Sequence, residues 1–179
     1  GIAKTHAARD EAIAAVAFYM LCYAVTNIGA FAIVTLLAEK NDRRTEFEDY
    51  NGIGFKAPVL AFSLSLFMLS LLGLPLTAGF IGKVMVFRPA LEAGSVLVTS
   101  LVVVAVVGSA ISAYYYLRLI VVMFFRERTT EWKTPAVPAA MTAVILIAVV
   151  GVFYLGMFSD GLIQRFTSPR TEAIVAIER

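Results

Sequence analysis

Lys83 is the side chain whose type and position point most directly to chemistry, because it lies in the apolar run LLGLPLTAGFIGKVMVF at residues 71–87. An ionisable residue in a membrane-length segment is costly and usually functional. The same run contains Pro75, which cannot donate to the Leu71 carbonyl and therefore interrupts a helix. If the helix restarts near Thr77, Lys83 lies in its first turns, where desolvation and the positive end of the helix dipole favour the neutral amine. Such an amine can accept and release protons in turn.

The residues around Lys83 are small or carry hydroxyl groups. Gly79 stands one helical turn before the lysine and Gly82 adjoins it, so water or a neighbouring helix can approach closely. Ser70 and Thr77 lie seven residues apart, and their hydroxyls either hold a water chain or make helix-packing contacts. These positions are candidates for a proton path around the lysine.

A second interpretation of Lys83 is purely structural. Arg88 follows only five residues later, so the lysine can instead reach the membrane interface and anchor the end of its helix. The sequence leaves both interpretations open at this point.

Polar residues in two other apolar stretches are further candidates for the proton path. Asn27 follows Thr26 midway along the first stretch, where a polar amide beside small residues usually marks a helix–helix contact. Tyr115 and Arg118 belong to the run AYYYLRL in the third stretch, where tyrosines and a snorkelling arginine form an interfacial belt. Alternatively, Arg118 turns inward and acts on a neighbouring proton site by like-charge repulsion.

The composition indicates a membrane protein. Of the 179 residues, 60% are hydrophobic and only 16% are charged, whereas an ordinary soluble domain has about a quarter charged residues. The small net charge of +2 and the lack of a long basic tract argue against a nucleic-acid partner. Cys22 is the single cysteine and His6 the single histidine, so the sequence offers no metal or iron–sulfur site. Any redox cofactor must then bind to a partner.

Four apolar stretches are long enough to cross a bilayer as helices, so we predict an all-α polytopic transmembrane bundle. The predicted spans are residues 12–37, 57–87, 96–125 and 136–158. The second contains 31 residues, or about 46 Å as a straight helix, against a hydrocarbon core about 30 Å thick. We therefore expect this span to be discontinuous at Gly73–Pro75.

The connecting segments indicate an orientation and an origin. The predicted loops and tail are residues 1–11, 38–56, 88–95, 126–135 and 159–179. Two of these loops hold seven of the 15 basic side chains, which are Lys40, Arg43, Arg44, Lys56, Arg126, Arg128 and Lys133. By the positive-inside rule, both loops face the cytoplasm and both termini face the opposite side. Because the chain starts in a predicted loop without an initiator methionine, we expect it to be the later part of a longer protein.

Three motifs together resemble a known family. They are TNIGAFA in the first span, GLPLTAGFIGK in the second and AYYYLR in the third. With these motifs, residues 12–126 resemble the antiporter-like membrane subunits of proton-translocating NADH-quinone oxidoreductase (respiratory complex I), and most closely its subunit N. The same family occurs in cation/proton antiporters and in membrane-bound hydrogenases.

The resemblance implies a role for the broken helix. The second span corresponds to the discontinuous helix of the family's C-terminal half-channel, and Lys83 matches the lysine that passes protons toward the periplasmic side. The family's first inverted repeat lies outside this sequence. The resemblance also implies that NADH, flavin, iron–sulfur clusters and quinone bind in partner subunits, that the partners are other membrane subunits of complex I, and that the location is the bacterial inner membrane.

Other functions remain open from the sequence. The chain could belong to a multisubunit sodium/proton antiporter or a membrane-bound hydrogenase, or it could be a structural helix scaffold with an anchored lysine. Replacing Lys83 by alanine separates a scaffold from a proton path, because only a proton path loses pumping.

Overall fold

The computed structural model describes residues 2–38, 46–127 and 136–159, and it describes side chains from position 9 onward. Within these ranges the chain forms helices with the bounds α1 Ile2–Leu37, α2 Ile53–Lys56, α3 Pro58–Leu72, α4 Ala78–Glu92, α5 Val96–Phe125 and α6 Ala139–Met157. A short 3-10 helix, Phe47–Tyr50, precedes α2. Several predictions fall outside the described residues. They concern Lys40, Arg43, Arg44, Arg128, Lys133 and the tail beyond Ser159.

Three of the described helices, α1, α5 and α6, are long and apolar enough to cross a membrane. The helices α3 and α4 have 15 residues each, or about 22 Å, so neither crosses a bilayer alone. Placed end to end, they are long enough for one crossing. The predicted all-α membrane bundle with a discontinuous second span is thus confirmed.

The helix ends differ from the predicted loop boundaries. Residues 2–11 were predicted as loop, but they belong to α1, because alanine, lysine, arginine and glutamate favour helix outside lipid as well. The loop predicted at residues 88–95 starts only after Glu92 in the structure, because α4 continues to that residue with Pro89 inside the helix. An apolar run in the sequence predicts the part of a helix that lies in hydrocarbon. The helix itself can continue beyond that part.

The other two boundary differences have local causes. Residues 136–138, predicted to start the last span, precede α6, because Val137 lies before a proline and is disfavoured in helical geometry. The predicted loop 38–56 contains the 3-10 helix and α2. Its Gly52 N–H donates to the Val122 carbonyl at 3.2 Å, and Tyr50 is buried. This connector therefore packs against the end of α5.

The helix break lies where the sequence predicts it. α3 ends at Leu72 because Gly73 adopts the left-handed conformation (φ 96°, ψ 44°), and its N–H donates back to Leu69 and Ser70 at 3.0 Å. Leu76 also has a positive φ of 76°, a conformation that costs a non-glycine residue about 1–3 kcal/mol. The Thr77 hydroxyl donates to the Leu74 carbonyl at 2.6 Å. A strained but hydrogen-bonded turn thus separates the two half-helices.

Buried clusters include residues of both half-helices on either side of this turn, whose Leu74 and Leu76 are themselves exposed. One cluster joins α1, α3, α6 and the end of α5 around Phe67 and Ile33. A smaller cluster joins α1, α4 and α6, and its buried members are Phe18, Cys22, Ala78 and Leu155. Cys22 is therefore a packed thiol, as its apolar surroundings in the sequence predict. The half-helix α4 is held from two sides, by α1 and by α6.

Candidate functional site

The Lys83 amine occupies the helix break. Its Nζ donates to the carbonyl oxygens of Leu71 at 2.9 Å and Leu72 at 3.1 Å, and to the Ser109 hydroxyl at 2.5 Å. Pro75 has no N–H, and the turn after Leu72 ends the helical pattern, so these carbonyls lack their helical donors. Helical side chains lean toward the N-terminus of their own helix. A lysine in the early turns of α4 therefore reaches back to the end of α3.

The direction of the Lys83 side chain bears on the anchor interpretation. The amine points from α4 toward the break, whereas Arg88 lies further along the helix and pairs with Glu92 at 3.0 Å. An anchoring lysine extends toward the nearer interface, which here is the Arg88 end. In the structure, Lys83 extends the other way.

A cavity of about 350 Å³ adjoins the lysine amine, with walls from α1, α3, α4 and α5. Its lining carries six hydroxyl groups, those of Tyr19, Tyr23, Thr26, Ser109, Ser112 and Tyr116. Among the described residues, no carboxylate or histidine lines this cavity, and no cluster of three metal-ligating side chains occurs. Lys83 is thus the basic group of a hydroxyl-lined cavity that has room for several water molecules, since one water takes about 30 Å³ of liquid.

Ser70 and Gly79 hold the start of α4 against the end of α3. The Ser70 hydroxyl accepts the Gly79 N–H at 3.2 Å and lies 3.3 Å from the Thr26 hydroxyl. Thr26 in turn donates to the Cys22 carbonyl at 2.8 Å. A Cβ atom at Gly79 would overlap the Ser70 carbonyl oxygen, so the two half-helices meet this closely only with glycine there. Gly82 faces Tyr19 of α1, where an added Cβ would lie 3.1 Å from the ring, a tight contact without overlap.

The remaining predicted residues lie outside the Lys83 cavity. Thr77 is buried in the turn between the half-helices. Asn27 donates to the Tyr23 carbonyl at 2.8 Å, and Tyr115 is 52% exposed on another face of α5. The Arg118 guanidinium lies 3.8 Å from Glu48 and 4.7 Å from the Phe47 ring centre. The structure brings Ser70, Gly73, Gly79 and Gly82 to the lysine site, but not Asn27, Tyr115 or Arg118.

The structure adds six hydroxyl residues to the sequence-based site, among them Tyr19 and Tyr23 of α1. Thr26 and Tyr116 are each adjacent in sequence to a predicted residue, and Ser109 and Ser112 lie in the run GSAISA. Serine and threonine in a membrane helix commonly bond to their own helix. For this reason the sequence gives no signal that separates Ser109 from the other hydroxyls of α5.

Comparison with known proteins is consistent with this geometry. A family model described as NADH:quinone oxidoreductase/Mrp antiporter, transmembrane, matches residues 2–112. NADH-quinone oxidoreductase subunit N 3 of Streptomyces griseus is 40% identical over 157 residues, 87% of this chain and 28% of that protein. Subunit N of Trichlorobacter lovleyi is 42% identical over 133 residues, 73% of this chain and 27% of that protein.

A solved structure is similar as well. A chain of respiratory complex I from Thermus thermophilus superposes with a TM-score of 0.70 at 37% identity, covering 84% of this chain and 33% of that chain. The present chain therefore spans about a third or less of the length of the relatives it matches.

Proposed function

Because the chain belongs to the NADH:quinone oxidoreductase/Mrp antiporter transmembrane family, we propose that it forms the C-terminal half-channel of a proton-translocating subunit of NADH:quinone oxidoreductase. The complex would couple electron transfer from NADH to quinone to proton export. One observation carries this proposal. The Lys83 amine is held at the helix break beside a hydroxyl-lined cavity, without a carboxylate partner among the described residues.

Proton exchange at Lys83 follows from its three hydrogen bonds. The protonated amine supplies donors to the Leu71 and Leu72 carbonyls, which the break leaves free. Carbonyl oxygens carry partial charge only, so they stabilise the ammonium less than a carboxylate would. The lysine therefore binds a proton without forming an ion pair, which would make that proton harder to release. A charge that arrives near Lys83 can shift the equilibrium between its protonated and neutral forms.

The redox chemistry belongs to partner subunits in this proposal. NADH, flavin, iron–sulfur clusters and quinone would bind there, and this chain would bind none of them. Its partners would be other membrane subunits of complex I, the lipid bilayer and the protons it passes, with no nucleic acid. The location would be the bacterial inner membrane, with the connector before α3 and the segment after α5 on the cytoplasmic side.

The test is Lys83→Ala in the full-length subunit of the assembled complex. We expect the rate of proton export through this subunit during NADH oxidation to fall by about tenfold or more, because a positioned proton-transfer group typically contributes 10²–10⁴-fold to the rate. Arg88→Gln is the matched control, since it removes a basic group from the same helix outside the cavity. Unchanged pumping by Lys83→Ala in proteoliposomes would leave only a scaffold role.

A sodium/proton antiporter subunit is the second candidate, because the matching family model covers Mrp antiporters as well. Lys83 would then exchange protons without any redox partner. Co-purification separates the two functions. A subunit of NADH:quinone oxidoreductase co-purifies with NADH-oxidising activity, whereas an antiporter subunit does not.

A further inference from the structure

The three partners of Lys83 differ in what they can do with a proton. The Leu71 and Leu72 carbonyls accept hydrogen bonds but have no proton to pass on. The Ser109 hydroxyl accepts from the amine and can donate its own proton onward. Ser109 is therefore the direct partner of Lys83 that can take part in proton exchange.

Ser109 begins a line of hydroxyl groups on one face of α5. Ser112 and Tyr116 lie three and seven residues further along, and all three line the Lys83 cavity. Residues at this spacing share one helix face. We call Ser109, Ser112 and Tyr116 the α5 hydroxyl face. It runs from the amine toward the end of α5 at Phe125.

On the other side of the lysine, the parts of the cavity wall from α4 and α5 are apolar. Tyr19 of α1 also lines the cavity, whereas these parts consist of Val86 and Phe87 from α4 and Ala105 from α5. Only Ala93–Ser95 separate α4 from α5, so the two helices run antiparallel and these three residues lie toward their shared turn. Polar groups therefore lead from Lys83 in one direction along α5 and not in the other.

Two hydroxyls of α1 and α3 make other bonds, while Tyr19 and Tyr23 of α1 line the cavity as well. Thr26 donates to the Cys22 carbonyl, and Ser70 accepts the Gly79 N–H. Neither hydroxyl contacts the Lys83 amine among the bonds of the described residues. Ser109 is thus the cavity hydroxyl that meets the Lys83 amine directly. Ser112 donates to the Gly108 carbonyl at 2.9 Å, so within the α5 hydroxyl face it can act as an acceptor for cavity water.

We propose that Lys83 exchanges its proton through Ser109, and that the α5 hydroxyl face with cavity water delivers protons to the lysine. This inference rests on the proposed function. In the loading step, the neutral Lys83 amine accepts a hydrogen bond from Ser109, the reverse of the bond that the protonated amine makes in the structure. An excess proton carried by the cavity water, as hydronium, passes to the Ser109 oxygen while the Ser109 O–H proton passes to the Lys83 amine. Lys83 gains one proton, the water chain loses one, and Ser109 ends as a neutral hydroxyl.

The first test compares Ser109→Ala with Ser109→Thr in the full-length subunit of the assembled complex. We expect alanine to lower the rate of proton export through this subunit by about tenfold and threonine to restore it, because only threonine keeps a hydroxyl. Ser100→Ala is the control, since Ser100 bonds its own helix at the Val96 carbonyl. Wild-type pumping by Ser109→Ala, or failure of threonine to rescue, would overturn the proposal.

The second test addresses the far end of the hydroxyl face. Tyr116→Phe removes only a phenolic hydroxyl from the cavity, whereas Tyr114→Phe removes the same group from an outward side chain that is 63% exposed. We expect a severalfold loss of pumping for Tyr116→Phe and none for Tyr114→Phe. Equal pumping by the two variants would contradict the delivery route.

Lys83→Ala separates this inference from the proposed function. If Lys83→Ala stops pumping while Ser109→Ala does not, the route through Ser109 is wrong and the lysine site stands. If Lys83→Ala pumps normally, the proposed function itself fails, and the Ser109 route fails with it.

Discussion

The Lys83 amine stands in for backbone donors that the Leu71 and Leu72 carbonyls have lost. Pro75 and the left-handed turn remove those donors, and the lysine in α4 lies within reach because its side chain leans back along the helix. Helix break and lysine therefore form one unit, in which the break supplies acceptors and the lysine supplies donors. A buried carbonyl left without a partner costs about 1–3 kcal/mol.

Ser70 is the hydroxyl that joins the two half-helices, so Ser70→Ala should lower stability. Removing it leaves the Gly79 N–H without its acceptor, at a cost of about 1–3 kcal/mol. Ser65→Ala is the matched control on α3, since Ser65 is buried but bonds only the Ala61 carbonyl of its own helix. Thermal unfolding of the purified full-length subunit should show a lower Tm for Ser70→Ala than for Ser65→Ala. The reverse order would contradict this role.

At the residue scale, the sequence singles out side chains whose chemistry is unusual for lipid. Lys83 and Pro75 stand out by type, and the length of their span predicts the break. The sequence does not predict which of two neighbours faces inward. Thr26 rather than Asn27, and Tyr116 rather than Tyr115, line the cavity. Membrane helices are apolar on every side, so hydrophobic periodicity does not mark the packed face.

At the scale of elements, the break is a packing junction of three helices. Gly79 lets the start of α4 meet the end of α3, and Gly156 lets α6 approach the backbone at Leu76 and Thr77. Side chains larger than hydrogen at these positions must push the half-helices apart. Because the cavity is built from the same helices, such a shift also moves the lysine site.

Gly79→Ala tests this junction, and Gly108→Ala is its control. Both changes place alanine in a helix, which alone favours folding by about 1 kcal/mol. At Gly79 the new Cβ overlaps the Ser70 carbonyl oxygen, whereas at Gly108 no atom of the described residues lies within 4 Å. Overpacking typically costs about 1–3 kcal/mol. Gly79→Ala should therefore lower the Tm and proton export, and Gly108→Ala should lower neither. Equal Tm values would argue against a tight junction.

At the scale of the whole molecule, most of α5 presents apolar side chains outward. Leu97, Leu101 and Val104 are each more than 60% exposed, which suits a helix in hydrocarbon. The connector 46–56 packs against the opposite end of the same helix, where Arg118 meets Glu48. Among the described residues, one end of the bundle thus carries a folded, charged connector, and the other carries the short turn between α4 and α5 beside the N-terminal part of α1.

The orientation of the bundle can be measured by cysteine labelling. Cys22 has no exposed surface, so it should not react. In the full-length subunit without other cysteines, Lys56→Cys should react with a membrane-impermeant maleimide from the cytoplasmic side, and Ala93→Cys from the opposite side. This follows because basic connectors are retained in the cytoplasm. Labelling of both positions from one side would refute the crossing by α3 and α4, and a reversed pattern would refute the orientation.

Lys83→Arg tests the central claim most directly, by measuring protons exported per NADH oxidised in proteoliposomes of the assembled complex. Arginine keeps the positive charge and can donate to the carbonyls at the break, but it does not lose its proton in proteins. We expect Lys83→Arg to pump as poorly as Lys83→Ala, because the site must titrate. A wild-type ratio for Lys83→Arg would contradict the account and would make Lys83 an anchor.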